Sequence, residues 1–289
     1  MEATDDSTRA DTALAALPLT GIRIVSIALN LPGPVAVRRL TEFGASAVKV
    51  EPPEGDPLRI YAVDYYRELH EDITVHRLDL KSDAGLAQMS EALEEADLLV
   101  TSQRPAALER LGLSHANVQR LWPHLCHLAI VGHGAPNENR AGHDLTYLAE
   151  AGLIRAPLLP PTLMADLLGA ERAVTGAFAL LRTRELSGRG EYLQVALEDA
   201  AHALSGPLRH GLTREGGILG GAHAGYKLYR VKDGWIALAA LEPHFLARVV
   251  EALGVEEAGV TAFADRFVQR TRDEWRDWAD RHDIPLTAI

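Results

Sequence analysis

Apolar positions along the chain alternate between two kinds of run. GIRIVSIAL (21–29), ASAVKVEPP (45–53), ITVHRLDLK (73–81), DLLVTSQ (97–103) and HLCHLAIVGHG (124–134) are short, β-branched and bounded by turn residues, as buried strands are. Between them, VAVRRLTEFG (35–44), DAGLAQMSEALEEA (83–96) and ALERLGLS (107–114) carry apolar residues at helical spacing, and Gly44 stands where a helix C-cap belongs. Such alternation builds βαβ units, which bury a parallel sheet between helices. The pattern predicts an α/β fold with an open, doubly wound, Rossmann-like parallel sheet. Ligands of such sheets bind beyond the carboxyl ends of the strands.

The pattern changes near residue 205. Residues 1–17 carry charges and small side chains without an apolar period and read as a disordered tail, followed by a large α/β domain over 18–205. GPLRHGLTREGGILGGAHAG (206–225) is glycine-rich and reads as a linker with a mobile loop. Residues 226–289 are expected to form a smaller α+β domain. It opens with the hairpin YKLYRVKDGWIALAA, turning at Asp233-Gly234, and continues through helices such as TRDEWRDWADRH (271–282).

Composition narrows the function classes. With 289 residues, 47% of them hydrophobic, the chain can bury a sizeable core. A net charge of -11 provides no global basic field for nucleic acid, and no run approaches the roughly 20 apolar residues of a membrane span. The single cysteine, Cys126, excludes an internal disulfide, and the acidic N-terminus lacks the features of a secretory signal, so a cytoplasmic location is expected. Neither GxGxxG nor GxxxxGK[ST] occurs, and Pro34 in the first strand-to-helix turn has no amide for a pyrophosphate. In HLCH (124–127), strand alternation puts His124 and Cys126 on one side and His127 on the other, so no metal site is expected.

Chemistry concentrates after the strands, at Lys49, Glu51, Lys81, Arg104 and the stretch 133–143. AGHDLTYLAEAGLI (141–154) sets His143 and Asp144 ahead of a helix-like run, and LMADLLGAERAVTGAFALL (163–181) sets Asp166 where another helix begins. Taken alone, His143 reads as a helix-entry histidine bonded to backbone, and Asp166 as an N-cap.

These residues lie in motifs that resemble the class III CoA-transferase family (CaiB/BaiF type). The match runs through LTGIRIVSIALNLPGPVAVRRLTEFGASAVKVEPPEGDP, LDLKSDAG and RPAALERLGL in the family's order, from about residue 19 to 289. AGHDLTYLAEAG and GYKLYRVKDGWIALAALEPHF are most similar to the α-methylacyl-CoA racemase branch, in a C-terminally short form with a short proline-rich loop between His143 and Asp166.

The resemblance implies a CoA-thioester enzyme with no tightly bound cofactor, an acyl-CoA and a free carboxylic acid as small-molecule partners, and a homodimer. It places Asp166, His143 and Glu242 in the catalytic site. His143 and Asp166 would flank the α-carbon of a 2-methylacyl-CoA as two bases, with helix-start amides on the enolate oxygen and Glu242 orienting an imidazole. In a transferase, Asp166 would instead attack the thioester as a nucleophile. Lys49, Lys81, Arg104 and Arg110 would neutralise CoA phosphates, and Gly220 and Gly221 would let backbone approach the acyl group. Two bland alternatives stay open. Glu242 is also an ordinary acid before a helix, and the chain is also readable as a catalytically inactive CoA-binding or assembly protein.

Overall fold

The computed structural model describes residues 17–289, so most of the expected tail lies outside the described residues. Among them the chain forms two compact units, the first ending at Leu204 and the second spanning Ser205–Ile289.

The first unit carries strands β1 (Arg23–Ser26), β2 (Ser46–Glu51), β3 (Thr74–Arg77), β4 (Leu98–Thr101), β5 (Cys126–Val131) and β6 (Tyr192–Ala196). They form one sheet in the order β3-β2-β1-β4-β5-β6, every neighbouring pair parallel. This is the doubly wound order, which reverses between β1 and β4. Its helices are α1 (Pro32–Glu42), α2 (Leu58–Tyr61), α3 (Val63–Leu69), α4 (Asp83–Glu94), α5 (Pro105–Arg110), α6 (His115–Leu121), α7 (Asp144–Glu150), α8 (Met164–Ser187) and α9 (Leu197–Leu204).

Strand alternation sorts the core into two layers. Ile24, Leu98, Val100, Cys126 and Leu128 face α1 and α8, whereas Val25 and Leu99 face Met89, Leu93, Leu108 and Val118 of α4, α5 and α6. At Gly33 and Gly176, a Cβ would come within 2.2 Å of Ala28 and 2.5 Å of Leu193, so both glycines keep helices close to the sheet. Strand β6 and helices α2, α3, α6 and α9 are additions to the sequence pattern.

The second unit holds α10 (Gly206–Arg209), a π-helical turn at Ile218–Ala222, the hairpin β7 (Tyr226–Val231) and β8 (Gly234–Ala239), α11 (Pro243–Leu253), α12 (Val260–Phe267), α13 (Arg272–His282) and β9 (Leu286–Ala288). The sheet β7-β8-β9 is antiparallel and covers a core of Tyr229, Phe263, Phe267, Trp275 and Trp278. Two features differ from the sequence expectation. The segment 206–225 belongs to this unit and contains two short helical turns, and the C-terminus adds a strand where only helices were expected.

Candidate active site

A cavity of about 210 Å³ opens at the carboxyl ends of β1, β4 and β5, where the strand order reverses. Leu29 and Asn30 after β1, Ser102, Gln103 and Arg104 after β4, and Gly132 after β5 contribute to its wall. His143 and Asp166 both line it, brought together from the starts of α7 and α8.

Asp166 is not the N-cap that its sequence position suggests. Helix α8 begins at Met164 after Leu163, so Asp166 sits inside the first turn. The capping carboxylate comes from Asp144, buried at 4% exposure, whose Oδ1 accepts the N–H groups of Ala165 at 2.7 Å and Asp166 at 3.0 Å. Those amides are therefore occupied and do not serve as the free oxyanion donors expected of this helix start. Burial, and secondly the Asp144 charge, push the Asp166 carboxyl up to about 7. His143 precedes α7 with extended backbone and an exposed side chain, and its N–H donates to Thr146 Oγ1 at 3.0 Å.

The predicted phosphate contacts separate into different environments. Arg104 lines the cavity from the start of α5, whereas Arg110 is exposed at the end of that helix. Lys81 lines a second, largely apolar cavity of about 290 Å³ with Val50, Pro52, Pro53 and Leu80. The two cavities share Leu29 and Gln103. Gln103 is anchored between them, donating to the Ile27 carbonyl at 2.6 Å.

Lys49 lies within β2 and is 2% exposed. Its ammonium stands 2.5 Å from Asp56 Oδ2, 3.3 Å from Glu51 Oε1 and 2.8 Å from His70 Nε2. His70 Nδ1 lies 2.7 Å from the Tyr66 carbonyl and must donate there, leaving Nε2 to accept from Lys49. Burial first, and the Lys49 charge second, hold His70 below its ordinary value. Asp56 Oδ1 accepts from Asn30 N at 3.1 Å, and Asn30 holds a left-handed φ of 64° at the cavity wall. Lys49 thus supports the site from inside.

Glu242 and the glycine pair belong to the second unit. Glu242 is the exposed residue preceding α11. Gly221 has φ +100°, and a Cβ on Gly220 would meet the Arg214 carbonyl at 1.6 Å, so this turn needs both glycines for its own closure.

Sequence reading missed the pair His133–Glu198. His133 is 1% exposed, and its Nδ1 lies 2.6 Å from Glu198 Oε2, while Glu198 Oε1 accepts Gly134 N–H at 2.7 Å. Partial desolvation opposes ionisation of Glu198, but the bonds from His133 and Gly134 hold its carboxyl below the usual range. Sixty-five positions separate the two residues, and only His133 lay in a stretch marked by the pattern.

Among the described residues, ligand atoms of Glu51, Asp56 and His70, and of His133, Glu150 and Glu198, cluster within 4.8 Å. The first set already surrounds the Lys49 ammonium, and the second is bound up in the His133–Glu198 and Arg140–Glu150 pairs. His127, from the HLCH motif, is in neither set. Among the described residues, no helix is long and apolar enough to cross a membrane.

The sequence matches the family described as CoA-transferase family III over residues 19–289. It is 30% identical over 285 residues to the succinyl-CoA–L-malate CoA-transferase alpha subunit of Chloroflexus aurantiacus, covering 87% of this chain and 65% of that protein. To the α-methylacyl-CoA racemase of Mus musculus it is 28% identical over 302 residues, covering 94% of this chain and 77% of the racemase. The chain thus spans somewhat less than two thirds of the transferase subunit's length. A hypothetical protein of Mycobacterium tuberculosis superposes with a TM-score of 0.83 at 24% identity, over 95% of this chain and 86% of that one. A CaiB/BaiF family protein of Brucella suis gives 0.80 at 20% identity, over 94% and 84%. Both likenesses establish the fold.

Proposed function

The chain belongs to CoA-transferase family III, and we propose that it is an enzyme of acyl-CoA thioesters that inverts the α-carbon of a 2-methylacyl-CoA by two-base proton transfer. The observation that carries this reading is Asp166, pushed up to about 7 in the cavity that His143 also lines. A carboxyl poised near neutrality exchanges protons efficiently in both directions. One of the two residues removes the α-proton, charge passes to the thioester oxygen as an enolate forms, and the other returns a proton to the opposite face. The two roles exchange for the opposite enantiomer.

In this reading CoA runs along the two cavities that share Leu29 and Gln103. Its nucleotide end occupies the apolar cavity, and Lys81 and Arg104 neutralise phosphates, with Arg110 further out on α5. Glu242, Gly220 and Gly221 stay in the proposal as residues of the second unit, in the roles that the family resemblance implies. A homodimer in the cytoplasm belongs to the same reading. Support for the dimer comes from Ile60, an apolar side chain 82% exposed on α2.

Transfer is the second reading, favoured by the 30% identity to a succinyl-CoA–L-malate CoA-transferase subunit. There Asp166 attacks the thioester carbonyl, giving a mixed anhydride and then an aspartyl-CoA thioester that an acceptor acid resolves. That step needs the anion, and a carboxyl near 7 is about half protonated at neutral pH. Incubation with a 2-methylacyl-CoA, with and without free carboxylic acids, tests the choice. Inversion without added acid supports the racemase reading, and a new acyl-CoA formed only with added acid supports transfer. Binding of CoA without either reaction identifies the inactive alternative.

A further inference from the structure

With the Ala165 and Asp166 amides taken by Asp144, the start of α8 does not supply a donor to the oxygen of a bound thioester. Tyr147 lines the same cavity from the first turns of α7 and is 3% exposed overall. Its hydroxyl passes between two glycines: a Cβ on Gly132 would come within 2.3 Å of it, and one on Gly142 within 2.8 Å. Any side chain at either position would displace the ring, so both glycines clear its path. Among the described residues this hydroxyl makes no hydrogen bond, and it is not one of the fully buried polar atoms.

The ring beneath is fixed. Tyr147 packs edge-on against His133 with centroids 5.2 Å apart, and His133 is held by Glu198 at 2.6 Å. The buried Nε2 of His133 also has no partner among the described residues, and it lies 2.9 Å from the position of a Gly142 Cβ. Two partnerless polar groups thus converge beside Gly142, the residue before His143. Tyr147 lines the cavity and His133 does not, so of the two groups it is the Tyr147 hydroxyl that stands open to a ligand oxygen there.

We propose that Tyr147 is a further catalytic residue of this cavity, its hydroxyl donating to the thioester oxygen of the bound acyl group, with His133 and Glu198 as the positioning pair that holds its ring. This inference rests on the acyl-CoA reading. Burial, with the Asp166 and Glu198 charges next, pushes the Tyr147 phenol up to about 12, so it stays protonated and a donor throughout the neutral range. Its bond strengthens as charge develops on the oxygen in the enolate.

The test compares two ligands that differ in that oxygen: acetyl-CoA, and S-ethyl-CoA, a thioether with no carbonyl. Titration calorimetry on the full chain should show Tyr147→Phe binding acetyl-CoA about three- to tenfold more weakly, with S-ethyl-CoA unchanged. Glu198→Gln should show the same selective loss in smaller measure, and it carries the test if Tyr147→Phe does not fold. Equal losses on both ligands, or none, in a variant that folds would overturn the role of Tyr147 alone. A wild-type chain that binds neither ligand would overturn the acyl-CoA reading and the role of Tyr147 with it.

Discussion

Asp144 reaches across 22 positions to hold Asp166: its Oδ1 accepts the Asp166 N–H at 3.0 Å. One carboxylate therefore fixes the start of α8 and, through its charge, helps set the protonation of the other. Asp144→Asn keeps an acceptor for both amides but removes the charge, so the Asp166 carboxyl should titrate lower. The limb of the pH–rate profile that reports Asp166 should move to lower pH, while Asp144→Ala should also cost about 1 kcal/mol of stability through the lost cap. A limb that stays in place in Asp144→Asn would show that Asp144 does not tune Asp166.

Asp166 should also appear in the stability of the protein. Its folded value of about 7 lies above the unfolded value of 3.8, so folding favours the protonated acid. The folded state is most favoured by this group below pH about 4, and that contribution is lost as pH rises through 7. Asp166→Asn, which cannot ionise, should gain stability over wild type between pH 4 and 8, by on the order of a few kcal/mol at most. Denaturant unfolding across that range measures the difference, and a constant difference would count against the raised value.

His127 works in the opposite sense. It is buried in β5 beside Thr101, with Nε2 3.1 Å from Oγ1, and burial, then the neighbouring His115, lowers it from 6.5 to about 3. Its neutral form is favoured in the fold, so its contribution is complete above pH 6.5 and falls away as pH drops towards 3. His127→Gln should flatten the acid side of the stability curve in that window. An unchanged acid limb would mean that His127 is not held neutral.

Lys49 and Lys81 should respond to substitution in different assays. Lys49→Met leaves Glu51 and Asp56 buried without their cation, and should destabilise the fold by about 3–5 kcal/mol. Lys81→Ala and Arg104→Ala should leave stability nearly unchanged and weaken CoA binding by about 1–3 kcal/mol each, less at high salt. CoA affinity unaffected in the Lys81/Arg104 double variant would remove both from the ligand site.

The contrast between these lysines shows what the chain makes legible. The alternation of β-branched and helical runs carried the parallel sheet, because buried strands and amphipathic helices leave distinct periods. It also marked the two stretches from which His143 and Asp166 line one cavity. The side on which a strand residue points was harder to read: Lys49 stands at the end of an apolar run, but its partners Asp56 and His70 come from later turns. Capping was equally non-local, since Asp144 caps a helix that starts 20 residues later. His133 and Glu198 meet only through the parallel β5–β6 pairing, and β6, in GRGEYLQVALED, lacks a continuous apolar run.

The measurement closest to the central claim is deuterium uptake at the α-carbon of each enantiomer of a 2-methylacyl-CoA, incubated with the protein in deuterated water without a free acid. Two-base transfer through His143 and Asp166 predicts uptake and inversion from both enantiomers. Asp166→Asn should abolish inversion while leaving one-sided exchange through His143, and His143→Ala should do the reverse, with losses of about 10²- to 10⁴-fold. Absence of α-deuterium with the wild-type chain, or a loss below about tenfold in folded His143→Ala, would contradict the account.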